Sequence, residues 1–90
     1  MTGLTTKTEI VAEADARHAP YPQYAGHWDG PEWFLVRAKT DLKTKSGLHF
    51  LKGEFSIARV DPESEKFLCC YSPRSGWQVY LPKKKLEVLP

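Results

Sequence analysis

Lysines are the residues of this chain best placed to do chemistry. Lys39, Lys43, Lys45 and Lys52 fall in one stretch, and Lys83, Lys84 and Lys85 form a run near the end. Trp77, Tyr80 and Pro82 lie just ahead of that run. Ammonium groups interleaved with flat rings suit a phosphate backbone with stacked bases. They suit an acidic protein surface equally well. The bland alternative is a solvated lysine face that blunts exposed strand edges. The candidate binding set is therefore Lys43, Lys45, Trp77, Tyr80, Pro82, Lys83, Lys84 and Lys85.

Other chemistries find less support. His18, His27, His49, Cys69 and Cys70 are the soft and borderline ligands, and none stands at the C-x₂-C or H-x₃-H spacing of a zinc site. No metal and no cofactor is expected. There is no Gly-rich phosphate loop, no G-x-S-x-G elbow and no H-E-x-x-H, so the chain is not read as an enzyme. Glu63 and Glu65 sit in a turn, where carboxylates are ordinarily just solvated. His49, beside Phe50, reads as a partly exposed strand residue. Cys69 and Cys70 are adjacent, so in a strand their side chains point to opposite faces. A disulfide between them would be strained, and both are expected reduced, one buried and one half-exposed.

These groups need elements to position them. Thr5 to Arg17 reads as a helix of about three turns, with Ile10, Val11 and Ala14 as a thin apolar stripe. Thr6 with Glu9 fits a capping box. Ala19 to Gly26, with Pro20 and Pro22, breaks the helix and favours extended backbone. Asp29-Gly30-Pro31 is a turn. Five strands follow: Trp33–Lys39, Glu54–Val60, Lys66–Tyr71, Trp77–Leu81 and Leu86–Leu89. Thr40 to Leu48 is a polar loop, and Lys52-Gly53-Glu54 a tight turn.

The order of these elements resembles the SH3-type barrel. The residues that carry the likeness are Ala38, Phe50-Leu51-Lys52-Gly53-Glu54, Tyr80-Leu81-Pro82 and Leu86. The resemblance implies a five-stranded SH3-like barrel over residues 32–90, with residues 1–31 as a helix and extended arm packed on it. The groove that peptide-binding members use is mostly absent. Lys39-Thr40-Asp41 stands where they have a Tyr-rich motif, Lys66-Phe67-Leu68-Cys69 where they have a Trp pair, and Lys85 where they have a Tyr. Only Tyr80 and Pro82 carry over. The same winding would bring the loop with Lys43 and Lys45 beside Lys83–Lys85 across one groove. A fold of this kind hosts many functions, so the likeness speaks to architecture.

Ninety residues suit one domain with a modest core. Its expected members are Phe34, Val36, Ala38, Phe50, Phe55, Ile57, Val79, Leu81 and Leu86. No apolar run is long enough to span a bilayer, and the N-terminus does not read as a signal peptide. A cytoplasmic location and no membrane partner are expected. Charge is uneven: residues 32–90 hold 11 basic and 7 acidic side chains, whereas Lys7 and Arg17 face Glu9, Glu13, Asp15 and Asp29 before them. The functional expectation is a small non-catalytic binding module, an accessory or regulatory protein that engages a protein partner, acidic where it meets the lysines. The alternatives are a nucleic-acid-binding barrel with a basic groove and a structural subunit of a larger complex.

Overall fold

Thr6 opens the first element of the computed structural model, which describes residues 3–90. Met1 and Thr2, the start of the expected N-terminal extension, lie outside the described residues. Helix α1 spans Lys7–Arg17. Thr6 Oγ1 accepts from Glu9 N–H (3.2 Å), and Glu9 Oε1 takes Thr6 Oγ1–H (3.0 Å) and Thr5 N–H (3.3 Å). These bonds satisfy N–H groups the first turn leaves open and hold the Glu9 carboxyl below its usual range. The capping box is thus present as the sequence indicates. Arg17 ends the helix, paired with Glu13 (3.0 Å) and reaching the Pro73 carbonyl (3.4 Å).

The chain is mainly β, with this short helix. Seven strands follow: β1 Phe34–Ala38, β2 Leu42–Thr44, β3 Gly47–Phe50, β4 Phe55–Val60, β5 Phe67–Tyr71, β6 Gln78–Pro82 and β7 Leu86–Val88. They form a five-stranded sheet in the order β6-β5-β4-β1-β7 and a separate β2-β3 pair. All pairings are antiparallel. Two expectations need correction. The described residues form seven strands where five were expected, because the polar loop after β1 folds on itself. Leu42 pairs with Phe50 and Thr44 with Gly47, whose φ of +119° is open to glycine but not to a side chain. Neither sheet closes into a barrel. Strands β6 and β7 are the two outer edges, joined by a 3₁₀ turn at Lys83–Lys85 that bonds Lys83 N–H back to Lys66 O (2.8 Å) and Leu86 N–H to Lys83 O.

The five-stranded sheet is buried on both faces. On the face towards the β2-β3 hairpin, Val36, Ala38, Ala58, Leu68, Cys70, Leu81 and Leu86 pack with Leu42 and Phe50. On the face towards α1, Ile57, Cys69 and Tyr71 pack with Ile10, Ala14, Trp28 and Trp33. Phe55 and Ile57 were expected in the same core as Val36. The register instead sets Leu35 opposite Ile57 and Val36 opposite Ser56, so both residues belong to the helix face. Their places on the hairpin face are taken by Ser56 and Ala58, both fully buried. Those small side chains leave room for Phe50 from the hairpin. Ser56 keeps its hydroxyl satisfied by donating to the Tyr71 carbonyl.

The cysteines follow the same logic. Cys70 sits in the hairpin-side cluster and Cys69 in the helix-side one. They do face opposite ways and are free thiols, but neither is half-exposed, because the sheet is covered on both sides.

Candidate functional site

The lysine run is placed by the end of β6. Antiparallel pairing sets Pro82 opposite Phe67, and the turn that follows lifts Lys83, Lys84 and Lys85 into solvent. Together with Glu65 and Lys66 at the start of β5, these residues line an open cleft whose apolar surfaces are Phe67 and Pro82. Phe67 is 40% exposed, at the end of the sheet face that the helix leaves open. The backbone of Lys39 joins the same region, since its N–H donates to the Lys85 carbonyl (2.9 Å). The cleft can therefore hold an apolar group against Phe67 and Pro82 while several ammonium groups meet negative charge around it.

The rest of the expected binding set is dispersed. Lys43 lies exposed on β2 and Lys45 at the hairpin tip. The tip is held elsewhere: Thr44 Oγ1 (2.8 Å) and Ser46 Oγ (3.1 Å) both meet His49 Nε2, and His49 Nδ1 meets Ser72 Oγ (2.8 Å). Ser72 lies beyond the opposite end of β5 from Phe67. At about 3.3 Å per strand residue, the six residue steps from Trp77, which pairs with Ser72, to Lys83 separate the two ends by roughly 20 Å. Neither Lys43 nor Lys45 lines the cleft. Tyr80 is 53% exposed and lines a second depression with Glu32, Phe34, Arg59, Val60, Asp61, Pro62 and Cys69. Its hydroxyl is shifted to higher pKa, first by the adjacent Cys69.

Trp77 belongs to a different structure. Its ring centroid lies 4.5 Å from His18, 5.4 Å from Tyr24 and 5.8 Å from Tyr21. Rings this close are in mutual contact and leave no gap for a ligand between them. Trp28, fully buried, continues the stack onto Trp33 (5.1 Å) and Tyr71 (4.9 Å). His27 bonds Gln78 on β6 (2.6 Å), and its carbonyl accepts from the Trp33 indole (3.0 Å). The aromatic arm thus packs on the Trp77 end of β6 and leaves Tyr80 open to solvent. His18 Nδ1 lies 2.8 Å from Ala14 O and 3.2 Å from Trp28 Nε1, so each tautomer serves one of these two.

Lys66 and Phe67 are the cleft residues that the sequence reading passed over. Phe67 opens β5, and only the strand register pairs it with Pro82. Nothing in the linear spacing brings the two segments together.

His49 and Ser72 form a hydroxyl–imidazole pair, but Ser72 is fully buried and His49 is 3% exposed. No substrate reaches them. The expectation of a partly exposed His49 fails because the hairpin tip folds over it. Ser72 Oγ accepts from Ser75 N–H (3.1 Å), so an Nε2–H tautomer satisfies the whole group. Burial pushes the Cys70 thiol up to about 12, which removes it as a nucleophile at neutral pH. Burial likewise moves the Tyr71 hydroxyl up to about 12. Among the described residues, no three or more His, Cys, Asp or Glu side chains are grouped to hold a metal, and no helix is long and apolar enough to cross a membrane.

Burial lowers the His49 pKa, which gives a signed pH dependence. In the unfolded chain the imidazole titrates near its usual value of about 6.5. Above that value both states are neutral and the stability is fully present. As pH falls, the unfolded chain takes up a proton before the folded one does, so stability is lost. The melting temperature of the parent should fall more between pH 7 and pH 5 than that of His49→Gln. Parallel curves for the two proteins would show that His49 does not contribute.

Comparison with protein-family models, with curated proteins and with solved structures finds no match.

Proposed function

We propose that this chain is a non-catalytic interaction module that holds an acidic segment of a protein partner at the cleft between β5 and the 3₁₀ turn. The observation that carries the reading is the cleft lining itself: Lys66, Lys83, Lys84 and Lys85 around Phe67 and Pro82. An apolar floor ringed by cations selects a ligand that pairs a carboxylate with an apolar side chain. One exposed ring and a nearby Glu65 offer little to a run of stacked bases, which favours protein over nucleic acid. The architecture we propose for residues 32–90 is SH3-like winding, supported by the order β6-β5-β4-β1-β7 with a hairpin inserted after β1. Residues 1–31 add the helix and the aromatic arm. The setting we propose is cytoplasmic.

Each exposed lysine contributes little alone, at most about 1 kcal/mol for a pair in water. Several on one face steer an anionic partner and make its binding steeply salt-dependent. Lys84→Glu with Lys85→Glu should weaken binding of a Glu-rich peptide and leave the melting temperature within a degree or two, because both side chains are exposed. Titration of the peptide, a short single-stranded oligonucleotide and heparin in low salt separates the readings. Preference for the oligonucleotide would transfer the site to nucleic acid. Binding of none of the three would remove the lysine cleft as a site.

A further inference from the structure

The β5-β6 ladder fixes which backbone groups of β6 face outward. Lys83 N–H donates to Lys66 O (2.8 Å) and Ser72 N–H donates to Trp77 O (2.9 Å), so a hydrogen-bonded pair lies at each end of the ladder. Between them the partners run Phe67 with Pro82, Leu68 with Leu81, Cys69 with Tyr80, Cys70 with Val79 and Tyr71 with Gln78. Bonded and non-bonded pairs alternate along an antiparallel ladder. Val79 and Leu81 therefore bond inward to β5, while Gln78 and Tyr80 turn their N–H and C=O groups away from the sheet. Pro82 holds the next outward position and has no N–H to offer. Strand β6 is an outer edge, and among the described residues no other segment's backbone bonds to Tyr80.

We propose that the β6 edge, centred on Tyr80, takes an extended acidic segment of a partner protein as an added strand. The proposal rests on the lysine-cleft reading and gives it a binding mode. Charge complementarity names the occupant. A strand laid along Gln78 and Tyr80 runs at one end past Pro82 into Lys83, Lys84 and Lys85, with Lys66 across the cleft and Glu65 the acidic residue among its lining. The lysines repel a basic strand, and the donor missing at Pro82 is missing for every strand laid there, so charge is what selects the occupant. An acidic strand turns the same charges into attraction. The pleat sets the rest of the pattern. Side chains on one face of the added strand lie beside half-buried Val79, where an apolar group fits. Those on the other face lie beside Tyr80, which is open to solvent. The ligand is therefore a peptide of alternating apolar and acidic residues, held by main-chain bonds as in other strand-addition complexes.

The probe is an acetylated, amidated heptapeptide Glu-Val-Glu-Val-Glu-Val-Glu, added in low salt to the full isotope-labelled chain. Saturation should slow exchange of the Gln78 and Tyr80 amides. Tyr80→Pro removes the outward donor at a position equivalent to Pro82, where the ladder loses no bond. It should weaken binding about tenfold or more, the scale of a lost backbone hydrogen bond. Tyr80→Ala keeps the donor and should bind much as the parent does. Should Tyr80→Pro not fold, amide exchange in the parent decides. Binding with lysine shifts but no protection of Tyr80 would overturn strand addition and leave the lysine cleft standing. Absence of binding would overturn both. Tyr80 protection that grows with protein concentration, without peptide, would assign the edge to a second copy of the chain and overturn the proposal.

Discussion

A chain that starts at Glu32 should fail to fold as a stable monomer. Removing the residues before it strips the helix face of the sheet of Ile10, Ala14 and Trp28, and with them the cover over Ile57, Cys69, Tyr71 and Trp33. All four of those covered side chains are at most 2% exposed in the full chain, so truncation would present a contiguous apolar face. Losing one large buried aromatic such as Trp28 typically costs about 3–5 kcal/mol. The whole stability of a domain this size is on the order of 5–13 kcal/mol. The tether is polar as well as apolar: Arg17 reaches Pro73 and His27 reaches Gln78. The expected result is a non-cooperative or absent thermal transition by circular dichroism and early elution on size exclusion. Trp28→Ala in the full chain is the milder version, destabilised by about 3–5 kcal/mol but still folded. A Glu32 start that melts cooperatively near the parent temperature, as a monomer, would mean the sheet does not depend on this cover.

That dependence explains what the sequence shows and what it hides. The helix was legible because Thr6 and Glu9 stand at the spacing a capping box requires. The strands were legible because Phe34-Val36-Ala38 and Leu68-Cys70 alternate and because Asp61-Pro62 and Pro73 to Gly76 punctuate them. The β2-β3 hairpin was hidden, since its pairing rests on three buried side chains, Leu42, His49 and Phe50, set among lysines and threonines. His49 was the misleading residue, because a buried imidazole is defined by partners, here Thr44, Ser46 and Ser72, that come from two segments. The second buried face was hidden for a related reason. Alternation identifies two faces of a strand but does not say how many of them are covered, and the cover here comes from the opposite end of the chain. Half of the candidate site was legible in the same sense. The run Lys83–Lys85 with Pro82 is local, whereas its companions Lys66 and Phe67 are joined to it only by register.

Ile57→Ala should cost about 2–5 kcal/mol, the range for truncating a fully buried branched side chain. Its magnitude does not by itself distinguish the two faces of β4, since an inward residue on either would be expensive. The distinction lies in coupling. Ile57 shares its cluster with Ile10 and Ala14 of α1, whereas Phe50 belongs to the cluster on the other side of the sheet. Side chains that line one cavity are non-additive, and those separated by a layer of backbone approach additivity. Ile57→Ala combined with Ile10→Ala should therefore deviate from the sum of the single effects by about 0.5 kcal/mol or more. Ile57→Ala combined with Phe50→Ala should stay close to the sum, provided both single variants keep a cooperative melt. Denaturant titration of the three single and two double variants against the parent measures both cycles. If the coupling instead joins Ile57 to Phe50 and is absent with Ile10, then β4 faces the other way, and its small residues Ser56 and Ala58 would have to lie under the helix. The register argues against this, because Leu35 opposite Ile57 and Arg37 opposite Phe55 place the two larger β4 side chains together on the helix side. The Arg37 guanidinium lies 5.8 Å from the centre of the Phe55 ring and 2.9 Å from Glu87 at the rim of that face. A charged group at the rim fits a face whose middle is closed by the helix, and it would not fit inside the tightly filled cluster on the hairpin side.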